Sequence, residues 1–473
     1  MSEHHDNITP STDCLPMKVA ISRLVSALRL YDQQHRSLHS DQTKLVTFCQ
    51  QVKAAKLTEW LYHQTVYPRL FWMNREQDFS VAGVGVADSF QFEGSEDNNA
   101  TFDQFHRSLA EKDPCARYVG GFCFNTTEQQ EPIWQAFPSF SFVLPLVQLR
   151  CDNNSFTLSC HLWLECSDDL PSKISEIIDV LNRIVTRADG SFMKLPELLK
   201  ISYNPDEQTW KKRCRKAIQS FENGDMEKIM LARQTVLEFS RSFSPLLFLL
   251  NYPYPENAIY RFYFEPVENQ AFFSFTPERL YRREGKMLLT EALAGTCSKE
   301  CMNGNDHHAT ETLLNSEKNI REHNFVREMI SNELLKICSE IDMDDNVQVL
   351  QLHRLAHLYT RCAATLKPEF ESDTAVLKLL HPTPAVGGVP NASALQHIMA
   401  LEPFSRGWYA APVGWASRDA AEFAVGIRSA LVNGRFAYLY SGAGLVKGSD
   451  PLSEWEEVEQ KIGDILAITR QEA

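Results

Sequence analysis

Two side chains in the second half of the sequence, Lys228 and Glu278, are of types that could move protons during a reaction. Lys228 opens the apolar stretch KIMLAR, where an ammonium group loses solvation, which favours the neutral amine and lets it act as a base. Glu278 ends the aromatic stretch FFSFTPE, where a carboxyl can stay protonated and act as a general acid. Taken alone, the pattern favours two simpler alternatives: an outward-facing lysine on a strand, and a surface ion pair between Glu278 and Arg279.

Carboxylates on two predicted helices could bind a divalent metal ion. Glu322 lies in NIREHNFV, while Glu454 and Glu457 lie three residues apart in EWEEVEQK, with Lys461 four residues further on. Residues three or four apart share a helix face, so this face presents two carboxylates and an ammonium. Converging carboxylates suit Mg²⁺, which prefers oxygen ligands. The simpler alternative is the solvated face of a charged helix.

Two further segments could bind a small anion. YSGAGLVKGSDP, residues 440–451, is predicted to be a glycine-rich loop entering a helix, whose backbone N–H groups could bind a carboxylate. Arg428, in VGIRSA, could bind a carboxylate through two parallel hydrogen bonds, although a strand arginine is otherwise a surface charge. The glycine spacing and the lack of a surrounding β–α–β unit argue against a dinucleotide site.

The elements that would position these groups can be predicted from apolar spacing. Helix-like spacing marks residues 17–37, 42–56, 171–189, 206–223, 309–338 and 451–471. Short runs rich in Val, Phe, Trp and Tyr, broken by Gly, Asn and Asp, predict antiparallel strands in both halves of the chain. Because strands and helices do not alternate regularly, we predict an α+β fold with large antiparallel sheets. We expect a disordered tail over 1–15, an N-terminal half over 16–205 and a catalytic region over 206–473.

Composition narrows the possible partners and the compartment. The 473 residues include 47 basic and 61 acidic ones, a formal net charge of −14, which argues against nucleic acid or an anionic membrane as a partner. We find no signal peptide at the N-terminus and no apolar run that could span a bilayer. Twelve cysteines without a CxxC pair are typical of reduced thiols, so we expect a cytoplasmic protein. We also expect it to be a monomer.

From about Lys211 to Ile468 the sequence resembles the chorismate-utilising enzyme family. The matching strings are KIMLAR, FTPERL, TEALAGT, REH, LHPTPAVGGVP, FSRGWYAAPVGW, VGIRSA and YSGAGLVKGSDPLSEWEEVEQK. Earlier strings extend the resemblance to about residues 60–470 and are similar to isochorismate synthases of the menaquinone type: RYVGGFCF, FPSF and FVLPLVQLR. The resemblance implies a single large α/β sandwich of antiparallel sheets, with flanking helices and an active site in a central cleft.

The resemblance also implies roles for individual residues. Lys228 would be the base that activates water to attack C2 of chorismate, and Glu278 the acid that protonates the departing C4 hydroxyl. Glu322 and Glu457 would bind Mg²⁺, with Glu454 acting through water. Further substrate contacts would come from Arg428 and Tyr409 at the enolpyruvyl carboxylate, Gly442, Gly444 and Lys461 at the ring carboxylate, and His357, Ala294, Gly295 and Thr296 in the pocket.

Within the family, two strings indicate which reaction is catalysed. Ala294 stands where members that aminate through a covalent lysine carry that lysine, and LHPTPAVGG, residues 380–388, is similar to isochorismate synthases. The expected function is therefore reversible, Mg²⁺-dependent conversion of chorismate into isochorismate for menaquinone biosynthesis. Salicylate synthase, a siderophore-pathway isochorismate synthase, anthranilate synthase component I and a non-catalytic chorismate-binding subunit stay open as alternatives. One departure from the family pattern is the absence of a glycine before TPER, where Ser274 and Phe275 stand.

Overall fold

The computed structural model describes residues 14–35, 44–92, 98–110, 112, 116–125, 131–165, 168–186, 193–254, 258–299 and 306–470. Its helices are α1 (Met17–His35), α2 (Leu57–Tyr62), α3 (Asn98–Ala110), α4 (Leu170–Arg183), α5 (Glu207–Glu222), α6 (Leu247–Leu250), α7 (Asp306–Leu314), α8 (Glu317–Ile337), α9 (Asp373–Leu380), α10 (Asn391–Leu401) and α11 (Pro451–Thr469). Its strands are β1 (Lys44–Val52), β2 (Arg69–Met73), β3 (Phe79–Val84), β4 (Asp88–Phe92), β5 (Tyr118–Phe122), β6 (Phe140–Leu144), β7 (Val147–Asp152), β8 (Ser155–Leu164), β9 (Leu198–Asn204), β10 (Lys228–Phe239), β11 (Tyr260–Val267), β12 (Gln270–Thr276), β13 (Arg279–Glu284), β14 (Met287–Ser298), β15 (Cys338–Met343), β16 (Gln348–Gln351), β17 (Leu355–Leu366), β18 (Gly388–Val389), β19 (Pro412–Ala416), β20 (Ala420–Val425), β21 (Ser429–Asn433) and β22 (Phe436–Val446).

The described strands form two large sheets. The larger, with 12 strands, has the order β1-β8-β7-β3-β2-β11-β12-β21-β22-β10-β18, and β9 also pairs with β10. The smaller, with 10 strands, has the order β15-β17-β14-β13-β20-β19-β5-β6-β4, and β16 also pairs with β17. Every ladder among these strands is antiparallel. The α+β fold predicted from the sequence is confirmed.

Alternating side chains divide the apolar residues between two cores. Successive residues of a strand point to opposite faces of a sheet, so Phe272 and Phe273 on β12 belong to different clusters. The cluster that contains Phe272 joins residues of both sheets and is rich in aromatic rings, including Trp72 and Trp408. The cluster that contains Phe273 includes the apolar faces of α1 and α4. The larger sheet is thus covered on both faces, which explains its long apolar strands.

Four of the predicted helices are confirmed as α1, α4, α5 and α11. The last begins at Pro451, after the N-cap Asp450, whose carboxylate accepts from the N–H groups of Leu452 and Ser453. No helix among the described residues is long and apolar enough to cross a membrane.

Three local predictions are wrong. Residues 42–56 contain the strand β1 instead of a helix, and its backbone pairs with β8. Residues 309–338 form two helices, because Ser316 ends the first segment and caps α8 through its side chain. The predicted loop over 440–451 is a strand as far as Val446, where β22 pairs with β10.

Strands from both halves of the chain share both sheets. In the larger sheet, β2 pairs with β11, and in the smaller sheet β5 pairs with β19. The boundary at 205 therefore divides both sheets, and it stays a prediction. Most of the tail predicted over residues 1–15 lies outside the described residues, which begin at Cys14. Leu15 is buried and forms a bridge with Val52.

Candidate active site

A cavity lies where β10, β14, β17 and β22 approach the helices α8 and α11. It measures about 550 Å³, including the part that is open to solvent. It is lined by ten residues predicted from the sequence: Glu278, Ala294, Gly295, Thr296, Glu322, His357, Tyr409, Arg428, Gly442 and Lys461. The other four predicted residues lie next to this lining. Lys228 and Gly444 contact Glu322, Glu457 pairs with Lys461, and Glu454 lies close enough to Glu457 for their charges to interact.

Glu278 lies between β12 and β13, and its side chain is buried in the cavity wall. Its N–H donates to Thr276 Oγ1 at 3.2 Å, and its C=O accepts from the N–H of Val425 at 3.1 Å. Burial, followed by the nearby charge of Glu291, raises the pKa of Glu278 to about 8. The carboxyl is therefore protonated at neutral pH and can donate a proton. The alternative of a surface ion pair with Arg279 is wrong, because both side chains are buried.

Lys228 begins β10, where its backbone pairs with Val446 on one side and Val389 on the other. This interior position buries the side chain completely, so the outward-facing alternative is wrong. Lys228 Nζ donates to Glu322 Oε1 at 3.0 Å. Burial favours the neutral carboxyl of Glu322, but the charges of Lys228 and Lys461 outweigh burial and lower the pKa of Glu322. An amine and an ionised carboxylate are thus held together beside the cavity.

His357 and Arg428 form a second polar wall. His357 Nδ1 lies 3.2 Å from both Gly295 O and Thr296 Oγ1, while Nε2 contacts the guanidinium of Arg428. Because an arginine can act only as a donor, Nε2 must be unprotonated, and the ring hydrogen is assigned to Nδ1. Burial, followed by the charges of Arg428 and Lys461, holds the pKa of His357 well below its usual range. His357 is therefore neutral and orients Arg428.

The backbone of Arg428 is held in an unusual conformation. Its φ of +48° is left-handed, which is costly for a residue with a side chain. Strand β12 supports this conformation, since Ser274 Oγ donates to the C=O of Ile427 at 2.6 Å and the N–H of Phe275 donates to the C=O of Arg428 at 3.1 Å. Ser274 and Phe275, which depart from the family pattern, thus support the residue that presents a guanidinium to the cavity.

Two glycines of β22 allow other side chains to approach the strand closely. A Cβ atom at Gly444 would lie 2.4 Å from Glu322 Oε1, and one at Gly442 would lie 3.0 Å from the hydroxyl of Tyr409. Lys461 Nζ donates to the C=O of Gly442 at 3.0 Å. The strand therefore brings a carboxylate, a hydroxyl and an ammonium to one side of the cavity.

A bulge in β14 shapes the opposite side. The pairing with β17 shifts register between Ala294 and Thr296, and Gly295 between them has a φ of +77°. Glycine adopts this left-handed conformation without strain. All three residues line the cavity, where Ala294 contributes a methyl group.

The three carboxylates predicted to bind metal lie on α8 and α11, and each is paired with a lysine. The distances are 3.0 Å for Glu322–Lys228, 2.6 Å for Glu454–Lys318 and 2.7 Å for Glu457–Lys461. The charges of all three carboxylates act on Lys318. The ammonium group of Lys318 thus lies close enough to all three predicted ligands to interact with their charges.

Glu454 carries further signs of a cation site. It is fully buried, and its Oε2 accepts no hydrogen bond from the described residues. Burial, followed by the charge of Glu457, raises the pKa of Glu454 to about 7. Within the described ranges, no three acidic, histidine or cysteine side chains lie close enough to form a ready-made metal site. The carboxylate oxygens, one of them unsatisfied, nevertheless fit a hard divalent cation.

The sequence profile of one family, described as chorismate binding enzyme, matches residues 31–470. The chain belongs to this family. The matched span contains the whole lining of the cavity. The chain is therefore an enzyme, and the cavity is the candidate site of a chorismate-binding enzyme.

Individual relatives match almost the entire chain. Isochorismate synthase MenF of Haemophilus influenzae is 31% identical over 96% of this chain and 98% of its own length. A chloroplastic isochorismate synthase of Catharanthus roseus is 32% identical over 83% of this chain and 69% of its own. The solved structure of MenF, the menaquinone-specific isochorismate synthase from Escherichia coli, has a TM-score of 0.81 and 28% identity, covering 96% of this chain and 100% of that one. The family membership inferred from the sequence is confirmed.

Reasoning from the sequence missed the small and apolar part of the chorismate-binding enzyme's cavity. Apart from the hydroxyl of Ser441, these residues carry no charge or nucleophile, so a search for reactive side chains passes them over. Most of them lie next to a predicted site residue along the chain, and one lies inside LHPTPAVGG. Their position beside the predicted residues is the signal from which the sequence could have identified them. They are Met230, Pro277, Leu293, Ala385, Ile427 and Ser441.

Proposed function

We propose that the chain is an isochorismate synthase that converts chorismate reversibly into isochorismate with Mg²⁺ as cofactor. The observation that carries the proposal is a buried, protonated carboxyl, Glu278, beside the same cavity as a buried lysine, Lys228. Relatives named isochorismate synthase that span nearly the whole chain support the proposal. Ala294 supports it as well, because a methyl group cannot form a covalent bond to the substrate at this position.

Glu278 would act as the general acid. Because the pKa of Glu278 is about 8, the carboxyl holds a proton at pH 7 and can give it to the C4 hydroxyl of chorismate. The C4–O bond then breaks and the hydroxyl leaves as water. The resulting Glu278 carboxylate is stabilised by the charges of Lys228, Lys461 and Arg428.

Lys228 would act as the base. A water molecule attacks C2 of the ring while the double bonds shift, and the side-chain nitrogen of Lys228 takes one proton from that water. One water is consumed and one is released, so substrate and product have the same composition. The ammonium formed on Lys228 is stabilised by Glu322 at 3.0 Å. In the reverse direction Lys228 donates the proton and Glu278 accepts it.

The two carboxylates of chorismate would be bound by separate groups. Arg428, oriented by His357, and the hydroxyl of Tyr409 are proposed to bind the enolpyruvyl carboxylate. Lys461, with the strand around Gly442 and Gly444, is proposed to bind the ring carboxylate. This arrangement would orient the ring between the acid and the base.

Glu322, Glu457 and Glu454 are proposed to hold Mg²⁺. When bound, the ion would neutralise and orient the ring carboxylate. Two observations support this assignment. The three carboxylates supply oxygen ligands from the helices α8 and α11, and Oε2 of Glu454 has no hydrogen-bond partner among the described residues.

The proposal is tested by incubating the purified chain with chorismate, with Mg²⁺ or with a chelator, and separating the products by chromatography. Isochorismate is expected with Mg²⁺ and is expected to disappear with the chelator. Release of pyruvate would instead identify a salicylate synthase, and an ammonia-dependent product would identify an anthranilate synthase. Absence of isochorismate would refute the proposed function.

The cellular setting is also proposed by resemblance to these relatives. The enzyme would be a cytoplasmic monomer that serves menaquinone biosynthesis, with residues 16–205 and 206–473 as the two halves of one body. Restoration of menaquinone in a bacterial strain that lacks isochorismate synthase would support the pathway. Sedimentation of the purified chain would test the monomer.

A further inference from the structure

Behind Glu278 lies a buried ion pair that links two distant parts of the chain. Arg75, two residues after β2, donates through Nη1 and Nη2 to the two carboxylate oxygens of Glu291 on β14, at 2.7 Å each. The side chain of Glu291 is fully buried, and that of Arg75 is 9% exposed. Two parallel hydrogen bonds fix the relative orientation of a guanidinium and a carboxylate. The pair therefore forms a rigid support behind the cavity wall.

The same pair holds the backbone on both sides of Glu278. Arg75 Nη1 also donates to the C=O of Pro277 at 3.0 Å, and Glu291 Oε1 accepts from the N–H of Arg279 at 3.0 Å. These two groups belong to the peptide bonds before and after Glu278. We infer that Arg75 and Glu291 are positioning residues for Glu278, which fix both of its peptide groups and so direct its carboxyl into the cavity. The inference rests on the proposed role of Glu278 as the acid.

Glu291 also acts on Glu278 through its charge. After burial, the Glu291 carboxylate is the main cause that raises the pKa of Glu278 to about 8. The other titratable groups that face Glu278 are Lys228 on β10, Lys461 on α11, Arg428 between β20 and β21, and Tyr409. The three cations among them favour the ionised carboxyl. Loss of the charge of Glu291 is therefore expected to lower the pKa of Glu278.

A second ion pair of the same kind serves as a matched control. Arg69, the first residue of β2, donates to Glu265 on β11 at 2.6 Å, and this pair is as deeply buried. Neither Arg69 nor Glu265 is among the residues that line the cavity. Changes in this pair should affect the stability of the larger sheet without moving Glu278.

The test compares Glu291→Gln and Arg75→Lys with the control variants Glu265→Gln and Arg69→Lys, all in the full chain. Glutamine keeps the shape of glutamate without its charge, and lysine keeps the charge of arginine without the two-pronged donor. Because small displacements in an active site can cost up to roughly a hundredfold in rate, we expect kcat to fall on the order of tenfold to a hundredfold in both test variants. KM for chorismate should change little, and both control variants should keep the wild-type kcat.

The pH dependence provides a readout that a purely structural role would not change. As the pH is raised, the rate of Glu291→Gln should begin to fall at a lower pH than the rate of the wild type. The reason is that Glu278 loses its proton at a lower pH in this variant. In Arg75→Lys the pH of this decline should stay the same, since the charge of Glu291 remains. If Glu291→Gln does not fold, the inference is tested by comparing the kcat of Arg75→Lys with that of Arg69→Lys. A lower kcat in Arg75→Lys alone would support it, and equal values would overturn it.

A measurement without turnover separates this inference from the proposed function. The infrared absorption of the protonated Glu278 carboxyl can be identified by difference from Glu278→Gln and followed as the pH rises. It should fall to half its intensity near pH 8 in the wild type and at lower pH in Glu291→Gln. A wild type that makes no isochorismate would refute the function while leaving this titration valid. Unchanged titration and kcat in Glu291→Gln, or equal loss of kcat in the control variants, would overturn the inference.

Discussion

Gly444→Ala is expected to reduce kcat about a hundredfold while leaving the protein folded. A Cβ atom at this position would lie 2.4 Å from Glu322 Oε1, whereas ordinary contacts begin at 3.4 Å. The carboxylate must therefore retreat by the difference, 1.0 Å. Because this oxygen is the end of a flexible side chain, its retreat costs little free energy of folding.

The retreat would disturb two proposed elements of the mechanism. The hydrogen bond from Lys228 Nζ to Glu322 Oε1, now 3.0 Å, would lengthen to about 4 Å and be lost. The proposed metal ligand would also leave its place beside Gly444. A displacement of about 1 Å in an active site can cost about a hundredfold in rate, which corresponds to about 2.7 kcal/mol of activation free energy.

The assay is the initial rate of isochorismate formation as Mg²⁺ is titrated, with thermal unfolding followed in parallel. We expect a lower kcat, a higher Mg²⁺ requirement and a nearly unchanged unfolding midpoint. Gly387→Ala is a suitable control, since a Cβ atom there meets its neighbours at 3.4 Å or more. A Gly444→Ala variant with wild-type kcat and wild-type Mg²⁺ dependence would refute the reasoning.

The other predictions concern the acid, the base and the bulge. Glu278→Gln lacks the acidic proton and should lower kcat by on the order of 10²- to 10⁴-fold at an unchanged unfolding midpoint, and a wild-type rate would exclude Glu278 as the acid. In the wild type, kcat should fall as pH rises through about 8, because the acid form of Glu278 exists below its pKa, and a profile that stays flat there would contradict this assignment. Lys228→Ala should lose turnover but keep its circular dichroism spectrum, whereas turnover at the wild-type rate would exclude it as the base. Gly295→Ala should lower the free energy of unfolding by about 1–2 kcal/mol in chemical denaturation, since φ is +77° there, and unchanged stability would count against strain at the bulge.

Local sequence patterns predict some elements of this fold well and others poorly. The N-cap Asp450 followed by Pro451 marks the start of α11 because both act within one helical turn. The sequence predicts a helix where the strand β1 lies, because three buried residues fit both the helical and the strand repeat over so short a stretch. These residues are Val46, Phe48 and Val52. Its hydrogen bonds come from β8, more than a hundred residues away, and no local pattern contains that information.

The same contrast holds for the candidate site. The chemical types of Lys228 and Glu278 can be recognised from the sequence, but their burial depends on strands that are distant along the chain. Lys228, for example, is covered where β10 pairs with β22, and that pairing joins it to Val446. Arg75 gave no signal at all, because its partner Glu291 lies 216 residues further on. Residue types thus suggest the chemistry, and nonlocal pairing decides which side chains can perform it.

The pairing of β2 with β11 has a consequence for how the protein is made. Arg69 and Glu265 are neighbours in the larger sheet although 196 residues separate them. At a translation rate of about 5–20 residues per second, roughly 10–40 s pass between the synthesis of β2 and that of β11. During that time its backbone edge is open to pairing with other chains, and such nonlocal ladders form slowly. Neither of the segments 16–205 and 206–473 can therefore be removed or exchanged between relatives without leaving an incomplete sheet in each fragment.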